Sequence, residues 1–263
     1  MEDQIILVDK PAGISSFGVV ARVRAKLRDE FGHKVKVGHT GTLDPFATGL
    51  LILLSGKMTK KSGEFLKLDK EYEATMKLGY VSTTGDTEGE IQLYPTRGAN
   101  KNESGFQEYL SLGSRRSRLF AFGNSRPKGR APQGERTNPR AAALRNPPNQ
   151  DILESTLQSF VGEIEQTVPK YSAVKINGQR AYKLARAGKD FETPTRKVTI
   201  YSIEVLDYKY PDLKIRCHVS SGTYIRTLAE DIGEKLGTGA YLTALRRTKI
   251  GDYDVKDAII NLC

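Results

Sequence analysis

The sequence predicts an α/β or α+β fold built on a mixed sheet, and three observations carry that expectation. Some stretches alternate apolar and polar residues with a period of two, as half-buried strands do. Others repeat apolar residues at helical spacing. The two kinds interleave without a regular βαβ rhythm and without an internal repeat. A chain of 263 residues can bury a full core, as one large domain or a domain with an appendage.

Taken in order, Ile5-Ile6-Leu7-Val8 reads as a short strand. Phe17, Val19, Val20, Val23 and Leu27 fall at helical spacing, with Ser15 or Ser16 as the cap. A glycine-rich loop from Gly38 leads into Leu50-Leu51-Ile52-Leu53-Leu54, a buried strand. Tyr72, Ala74, Met76 and Leu78 alternate with polar partners. Ile152, Leu157, Phe160 and Val161 suggest a helix ending at Gly162. Leu213, Ile215, Cys217 and Val219 alternate again, and Gly222 ends that strand. A helix is expected from about Arg226 to Leu236, closed by Gly237. Between Gly98 and Asn149 every pattern fails. This Arg-, Asn-, Ser-, Gly- and Pro-rich stretch lacks the apolar surface needed to offset ordering entropy, and it reads as a disordered insertion. A tether for RNA and a sequence artefact are the alternatives.

Charge points to the partner. The net charge is +10, which suits a polyanion, and it is unevenly placed. Residues 97–150 carry a net +8 and residues 170–197 a net +6; the rest has a slight acidic excess. Only two cysteines are present, Cys217 and Cys263, so no disulfide framework is expected and a reducing compartment fits. The N-terminus lacks the pattern of a signal peptide, and no apolar run reaches membrane-spanning length. A soluble, cytoplasmic protein is expected.

The most informative stretch is Gly38-His39-Thr40-Gly41-Thr42-Leu43-Asp44-Pro45-Phe46-Ala47-Thr48-Gly49-Leu50-Leu51. One acid, Asp44, sits among small and hydroxyl residues; glycines permit tight bends and Pro45 fixes the turn. A lone carboxylate on a stiff loop beside a core strand can serve as nucleophile or base in a cleft. The plainer alternative is a surface turn in which Asp44 bonds its own backbone.

These residues resemble a known catalytic motif. Gly38 to Pro45 is similar to the signature of the TruB family of tRNA pseudouridine synthases, whose essential aspartate falls at Asp44. Further segments match in order. Asp9-Lys10-Pro11-Ala12-Gly13-Ile14-Ser15-Ser16 resembles the family's N-terminal motif, and Lys70-Glu71-Tyr72 the segment with its active-site tyrosine. Leu78-Gly79 through Thr84, Asp86 and Gly89 resembles the family's segment just after that tyrosine. Pro169 to Lys175 with Tyr182 to Arg186 resembles the RNA-contacting thumb loop. Ser221 to Arg226 resembles the motif with the catalytic arginine, and Gly239 to Leu242 with Leu245-Arg246-Arg247 the C-terminal signature.

The resemblance implies a pseudouridine synthase fold: a central mixed, largely antiparallel sheet flanked by helices and a thumb loop at about 166–197. The catalytic domain would comprise 1–97 and 150–257, with 98–149 inserted and 258–263 a short tail. Two departures stand out. The family usually has a short connection where 98–149 lies, and many members carry a further C-terminal RNA-binding domain that is not expected here.

Residue by residue, the resemblance implies these roles. Asp44 is catalytic. Arg226 holds it ionised through a planar, two-pronged contact, because a buried carboxylate otherwise tends towards neutrality. Tyr72 packs on the target base, and Tyr224 lines the pocket. His39 enters the RNA loop in place of the flipped base, and Lys10, Lys175 and Arg186 contact RNA. The plainer alternatives are a core position for Tyr72, an exposed helix position for Arg226, a solvated loop for His39 and a surface position for Lys10.

The isomerisation has no net redox change and no group donor, so no cofactor is expected. No phosphate-binding loop is recognisable, and His33, His39 and His218 are not grouped with cysteines as a zinc site requires. The expected partner is tRNA, through the T stem-loop and uridine 55, without guide RNA or membrane, by a monomer. The rival readings are an RNA-binding or tRNA-folding factor with weak or no catalysis, and an enzyme acting on a small acidic metabolite.

Overall fold

A computed structural model describes residues 2–94 and 147–258. Most of the expected insertion, the end of the tail and Cys263 lie outside the described residues.

In chain order the elements begin with β1 (Ile5–Lys10), α1 (Ser16–Phe31), β2 (Val37–His39) and β3 (Thr48–Ser55). A 3-10 turn (Gly56–Lys61), α2 (Ser62–Lys67), β4 (Lys70–Leu78), β5 (Tyr80–Ser82) and β6 (Ile91–Leu93) come next. After the undescribed segment come α3 (Gln150–Gln158), β7 (Gly162–Thr167), β8 (Lys175–Ile176), β9 (Gln179–Arg180) and α4 (Ala181–Arg186). The chain continues through β10 (Thr195–Lys209), β11 (Asp212–Val219), α5 (Ile225–Leu236), β12 (Ala240–Ile250) and β13 (Tyr253–Asp254).

Among the described residues one nine-stranded sheet dominates, in the order β1-β3-β12-β4-β11-β10-β7, with β2 added to β3 and β13 to β12. Its pairings are antiparallel except β12 with β3. The sheet is therefore mixed and largely antiparallel, as expected. The alternating residues of β4 and β11 behave as the period-two pattern requires: Tyr72, Ala74, Met76, Leu78, Leu213, Ile215, Cys217 and Val219 are all buried. They form one cluster with Ile225, Leu228, Ala229 and Ile232 of α5. Val19, Val20, Val23 and Leu27 of α1 pack with Val8, Leu51 and Leu53. Leu50, Ile52 and Leu54 meet Phe65 and Ile250 in a separate cluster, so β3 is buried on both sides. That explains its uninterrupted apolar run.

Helix boundaries follow capping chemistry. Ser15 caps α1, its side chain accepting from Gly18 N. Gly237 closes α5 in the left-handed region, at φ 72°. The expectation for the 150s needs correction. α3 ends at Gln158, Gly162 opens β7, and Ile152 and Val161 are exposed, while Leu153, Thr156 and Leu157 are buried. The apolar spacing was legible, but the buried stripe runs one residue later than Ile152 suggested. The inserted segment's C-terminal boundary also shifts: Asn149 caps α3, and Pro148 O accepts from Tyr208 Oη at 2.8 Å.

Candidate active site

A single row of side-chain positions crosses the sheet beneath the Asp44 loop. Lys10 of β1 pairs with Gly49 of β3, Gly49 with Arg247 of β12, Arg247 with Tyr72 of β4, and Tyr72 with Cys217 of β11. All five are buried. Directly paired residues share a face, so the row is the floor on which the loop between β2 and β3 rests. Gly49 has to be glycine: at φ 100° an added Cβ would stand 2.2 Å from the Arg247 carbonyl oxygen.

The loop is tied down from the N-terminal motif. The Ser16 hydroxyl donates to Leu43 O at 2.9 Å and accepts from Leu43 N at 2.8 Å. Gly13 N donates to Pro45 O at 2.8 Å. Lys10 Nζ reaches Pro11 O and Ile14 O at 2.8 Å and Pro45 O at 3.2 Å. Lys10 is fully buried with its ammonium committed to carbonyls, so it does not take the surface position of the plainer alternative. Burial pushes its pKa down to about 8, against the raising effect of Asp44. On the flanks of Asp44, Leu43 and Ala47 pack into the same cluster as Tyr72 and Ile225.

Arg226 arrives from the opposite side, in the first turn of α5. Its Nε lies 3.0 Å from Asp44 Oδ2, with side-chain exposures of 7% for the arginine and 33% for the aspartate. The acid is thus accessible and its counter-charge is not. The other arms of the guanidinium are committed: one terminal nitrogen meets Asp86 Oδ2 at 3.3 Å and Thr84 O at 2.9 Å, the other Tyr171 O at 2.8 Å. The contact to Asp44 is therefore single-pronged, not the expected fork. Asp86, 2% exposed, is quoted in the sequence motifs but given no role there. The signal was available, since it is a lone acid in Ser82-Thr83-Thr84-Gly85-Asp86, a setting like that of Asp44. Gly85 permits the approach, as an added Cβ would lie 3.3 Å from Arg226 Cβ.

Burial raises the pKa of Asp44 above the usual carboxylate range. Arg226 opposes the shift most strongly, Asp86 adds to it, and Lys10 and Arg247 draw it back. Glu88, on the same loop as Asp86, is also raised, by burial and then by Asp86 and Asp44. The site is a carboxylate cluster with one guanidinium at its centre.

Tyr72 is 8% exposed and belongs to the core cluster beside Leu43. Tyr224 precedes α5; buried Gln166 brackets its backbone, accepting from Tyr224 N at 2.7 Å and donating to Tyr224 O at 3.0 Å. The Arg196 guanidinium stands 5.2 Å from the Tyr224 ring centroid. His39 ends β2, and Gly41 N approaches its Nδ1 at 3.4 Å. Burial, then Arg247 and Arg180, lower its pKa and favour the neutral imidazole. The β8–β9 hairpin turns at Asn177-Gly178, both at positive φ, as a two-residue turn between twisted strands requires. Lys175 and Arg186 are exposed on this thumb, and Arg186 helps draw down the raised pKa of Glu88. Among the described residues no group of His, Cys, Asp and Glu is arranged to hold a metal ion, and no helix is long and apolar enough to cross a membrane.

Comparison with known proteins decides the family. Residues 28–111 and 130–225, together more than half of the chain, match the TruB family pseudouridylate synthase N-terminal domain. The chain belongs to the TruB family. Residues 226–262 match the tRNA pseudouridylate synthase B C-terminal domain; in this TruB chain their described part forms α5, β12 and β13, which pack on or within the main sheet. The chain is 38% identical over 260 residues to tRNA pseudouridine synthase B of Phocaeicola vulgatus, covering 98% of this chain and 90% of that one. It is 37% identical over 262 residues to the same-named protein of Flavobacterium johnsoniae, covering 98% and 93%. The Bifidobacterium longum protein of that name is 40% identical over 277 residues, but only 64% of its length is covered. Among solved structures, a chain of a Cbf5-Nop10-Gar1 complex superposes with a TM-score of 0.58 at 26% identity, over 98% of this chain and 52% of that one. The TruB match passes over residues 112–129, inside the stretch whose composition sets it apart.

Proposed function

We propose that this chain isomerises uridine to pseudouridine at position 55, in the T arm of tRNA, with Asp44 as the catalytic group. The observation that carries the reading is the Asp44–Arg226 pair: an accessible carboxylate 3.0 Å from a buried guanidinium. It is supported by TruB membership and by relatives named tRNA pseudouridine synthase B.

The reaction breaks the bond between ribose C1′ and uracil N1 and forms one between C1′ and C5. The proton on C5 leaves and N1 gains one, so the product is an isomer. An ionised Asp44 serves whether it attacks as a nucleophile or removes a proton. Arg226 keeps it ionised against burial, and the other bonds of Arg226 fix the direction of that charge. The target base must leave its stack to reach Asp44. Tyr72 and Tyr224 offer aromatic surface for it, His39 stands at the loop edge to occupy the vacated place, and Lys175 and Arg186 face the phosphates.

The test is incubation of a T-arm stem-loop with the pure protein, followed by pseudouridine mapping, with Asp44→Asn as control. Conversion at the single T-loop uridine is expected. Binding without conversion would make the chain an RNA-binding or tRNA-folding factor. Activity on free nucleotides with indifference to RNA would make it an enzyme of small acidic metabolites.

A further inference from the structure

Arg247 is the largest fully buried side chain among the described residues, at 2% exposure, and its observed contacts are to backbone carbonyls. Its Nε donates to Leu50 O at 2.7 Å and a terminal nitrogen donates to Gly41 O at 3.2 Å. Those two acceptors bracket Asp44: Gly41 lies three residues before it, and Leu50 lies just inside β3, six residues after. One guanidinium thus closes the loop on itself. The neighbour in sequence makes the contrast. Arg246 points to the other face and takes an ordinary two-pronged carboxylate partner, Asp9, at 3.1 and 2.7 Å.

A guanidinium bonded to carbonyls in the interior is costly to desolvate, and an apolar side chain of similar volume would serve the sheet as well or better. What an apolar side chain cannot do is grip both ends of the 41–50 segment. It also cannot supply positive potential under the loop, a potential felt by Asp44, Lys10, His39 and Lys70 alike. Arg247 is besides the cross-strand partner of Tyr72 and the register partner of Gly49, so a shift in its side chain reaches both the loop and the aromatic floor.

We infer that Arg247 is a positioning residue for catalysis, clamping Gly41 and Leu50 so that the Asp44 carboxylate is held against Arg226 and beside Tyr72. This rests on the proposed pseudouridine chemistry and adds to it a residue buried beneath the loop. Arg247 acts through Asp44 rather than on the substrate.

The test uses the full chain with Arg247→Lys and Arg247→Met, each measured for thermal stability, stem-loop affinity and single-turnover rate at saturating RNA across pH. Lysine keeps the charge but reaches one carbonyl at a time; methionine keeps the volume and loses both. Both variants are expected to fold and to bind the stem-loop like wild type. Their turnover should fall by roughly 10²-fold, the scale of loss when a reacting group is displaced by about 1 Å. The groups facing Asp44 are Arg226 from α5, Asp86 and Glu88 from the β5–β6 loop, Lys10 from β1 and Arg247 from β12. Removing the last of these cations should move the acid limb of the Arg247→Met profile to higher pH, while Arg247→Lys leaves the limb near its wild-type position. Wild-type turnover and an unmoved limb in both variants would overturn the inference. So would a loss that merely tracks the unfolded fraction, or failure of both variants to fold, since either makes Arg247 a support of the sheet alone. If the wild type itself does not convert the stem-loop, it is the functional reading that fails.

Discussion

Arg226 forms an ion pair with Asp44, Nε to Oδ2 at 3.0 Å, while its terminal nitrogens hold Asp86, Thr84 O and Tyr171 O. The arginine therefore joins four backbone segments: the β2–β3 loop, the β5–β6 loop, the root of the thumb and α5. Asp44 receives a charge whose direction is fixed by the other three.

Arg226→Lys should for that reason cost more than the ion pair. A single ammonium cannot satisfy Asp44, Asp86 and two carbonyls at once, and Asp86 is nearly inaccessible to water. A fall in turnover of about 10²-fold or more is expected, with a stability loss of about 1–3 kcal/mol from the orphaned acceptors. Single-turnover kinetics and denaturant melts check the two parts, and near-normal turnover would show that something else keeps Asp44 ionised.

Asp44→Asn should abolish conversion, by at least about 10²-fold, and leave stem-loop binding intact. The stability consequence comes from the raised pKa of Asp44. Between the ordinary carboxylate value and the raised one, the folded protein binds more protons than the unfolded chain. Stability from this group is therefore fully present at acid pH and is lost as pH rises through that window. The asparagine variant lacks the loss, so its melting temperature relative to wild type should improve from acid to neutral pH. The wild-type rate should rise with pH along a limb displaced above the usual carboxylate range. Melts of both proteins across that range, beside the rate profile, would refute the assignment if neither shows the trend.

Tyr72→Phe is the informative change at that position. The ring is buried among Leu43, Ala74 and Cys217, so Tyr72→Ala should remove about 3–5 kcal/mol of stability whatever the role of the ring. The phenylalanine variant should fold within about 1 kcal/mol of wild type. If the hydroxyl moves a proton, turnover falls with affinity unchanged; if kinetics and affinity both match wild type, Tyr72 serves as aromatic floor only.

How much of the fold and the site was legible in advance depended on the kind of signal. β4 and β11 declared themselves because every second residue faces one cluster, and α1 because four valines and leucines recur on one stripe. β12 and the 15-residue β10 were hidden. Their register shifts interrupt the alternation, as at Leu242/Ala244 and Arg247/Lys249 in β12 and Ile200/Ser202 in β10, so period-two reading loses phase there. At the site, Asp44 and Arg226 were singled out by motif, and the structure pairs them. Asp86 and Arg247 were quoted in motifs but given no role, because their contacts are cross-strand and loop contacts among residues far apart in sequence, such as the 142 positions separating Thr84 from Arg226.

Lys10 separates a motif from a role. If it holds the Asp44 loop through the carbonyls of Pro11, Ile14 and Pro45, Lys10→Met should reduce turnover while the salt dependence of tRNA binding stays as in wild type. If its ammonium meets a phosphate instead, the slope of log affinity against log salt should become shallower by roughly 0.7–0.9. Titrations at several salt concentrations distinguish the two.

Removal of the basic segment is the remaining test, and the structure sets where to cut. On one side Tyr94 N donates to Gly79 O at 3.0 Å, and an added Cβ on Gly239 would strike the Tyr94 ring at 2.3 Å, so the chain belongs to the domain through Tyr94. On the other, Pro148 O accepts from Tyr208 and Asn149 Oδ1 accepts from Ile152 N at 2.8 Å. A deletion of 98–146 closed with a short Gly/Ser linker should therefore keep the fold, because a flexible connection of adequate length costs little closure entropy. Extending the cut through 149 removes the α3 cap and should cost about 1 kcal/mol more, which melts of the two deletions would resolve. Turnover at saturating tRNA should be unchanged in both. If the segment tethers RNA, the deletion weakens binding at low salt and flattens the salt dependence, since residues 98–146 carry a net +7 whose loss releases fewer counterions. Unchanged affinity and slope would make it a passive insertion. Loss of cooperative folding in the shorter deletion would show that residues 98–146 contribute to the core.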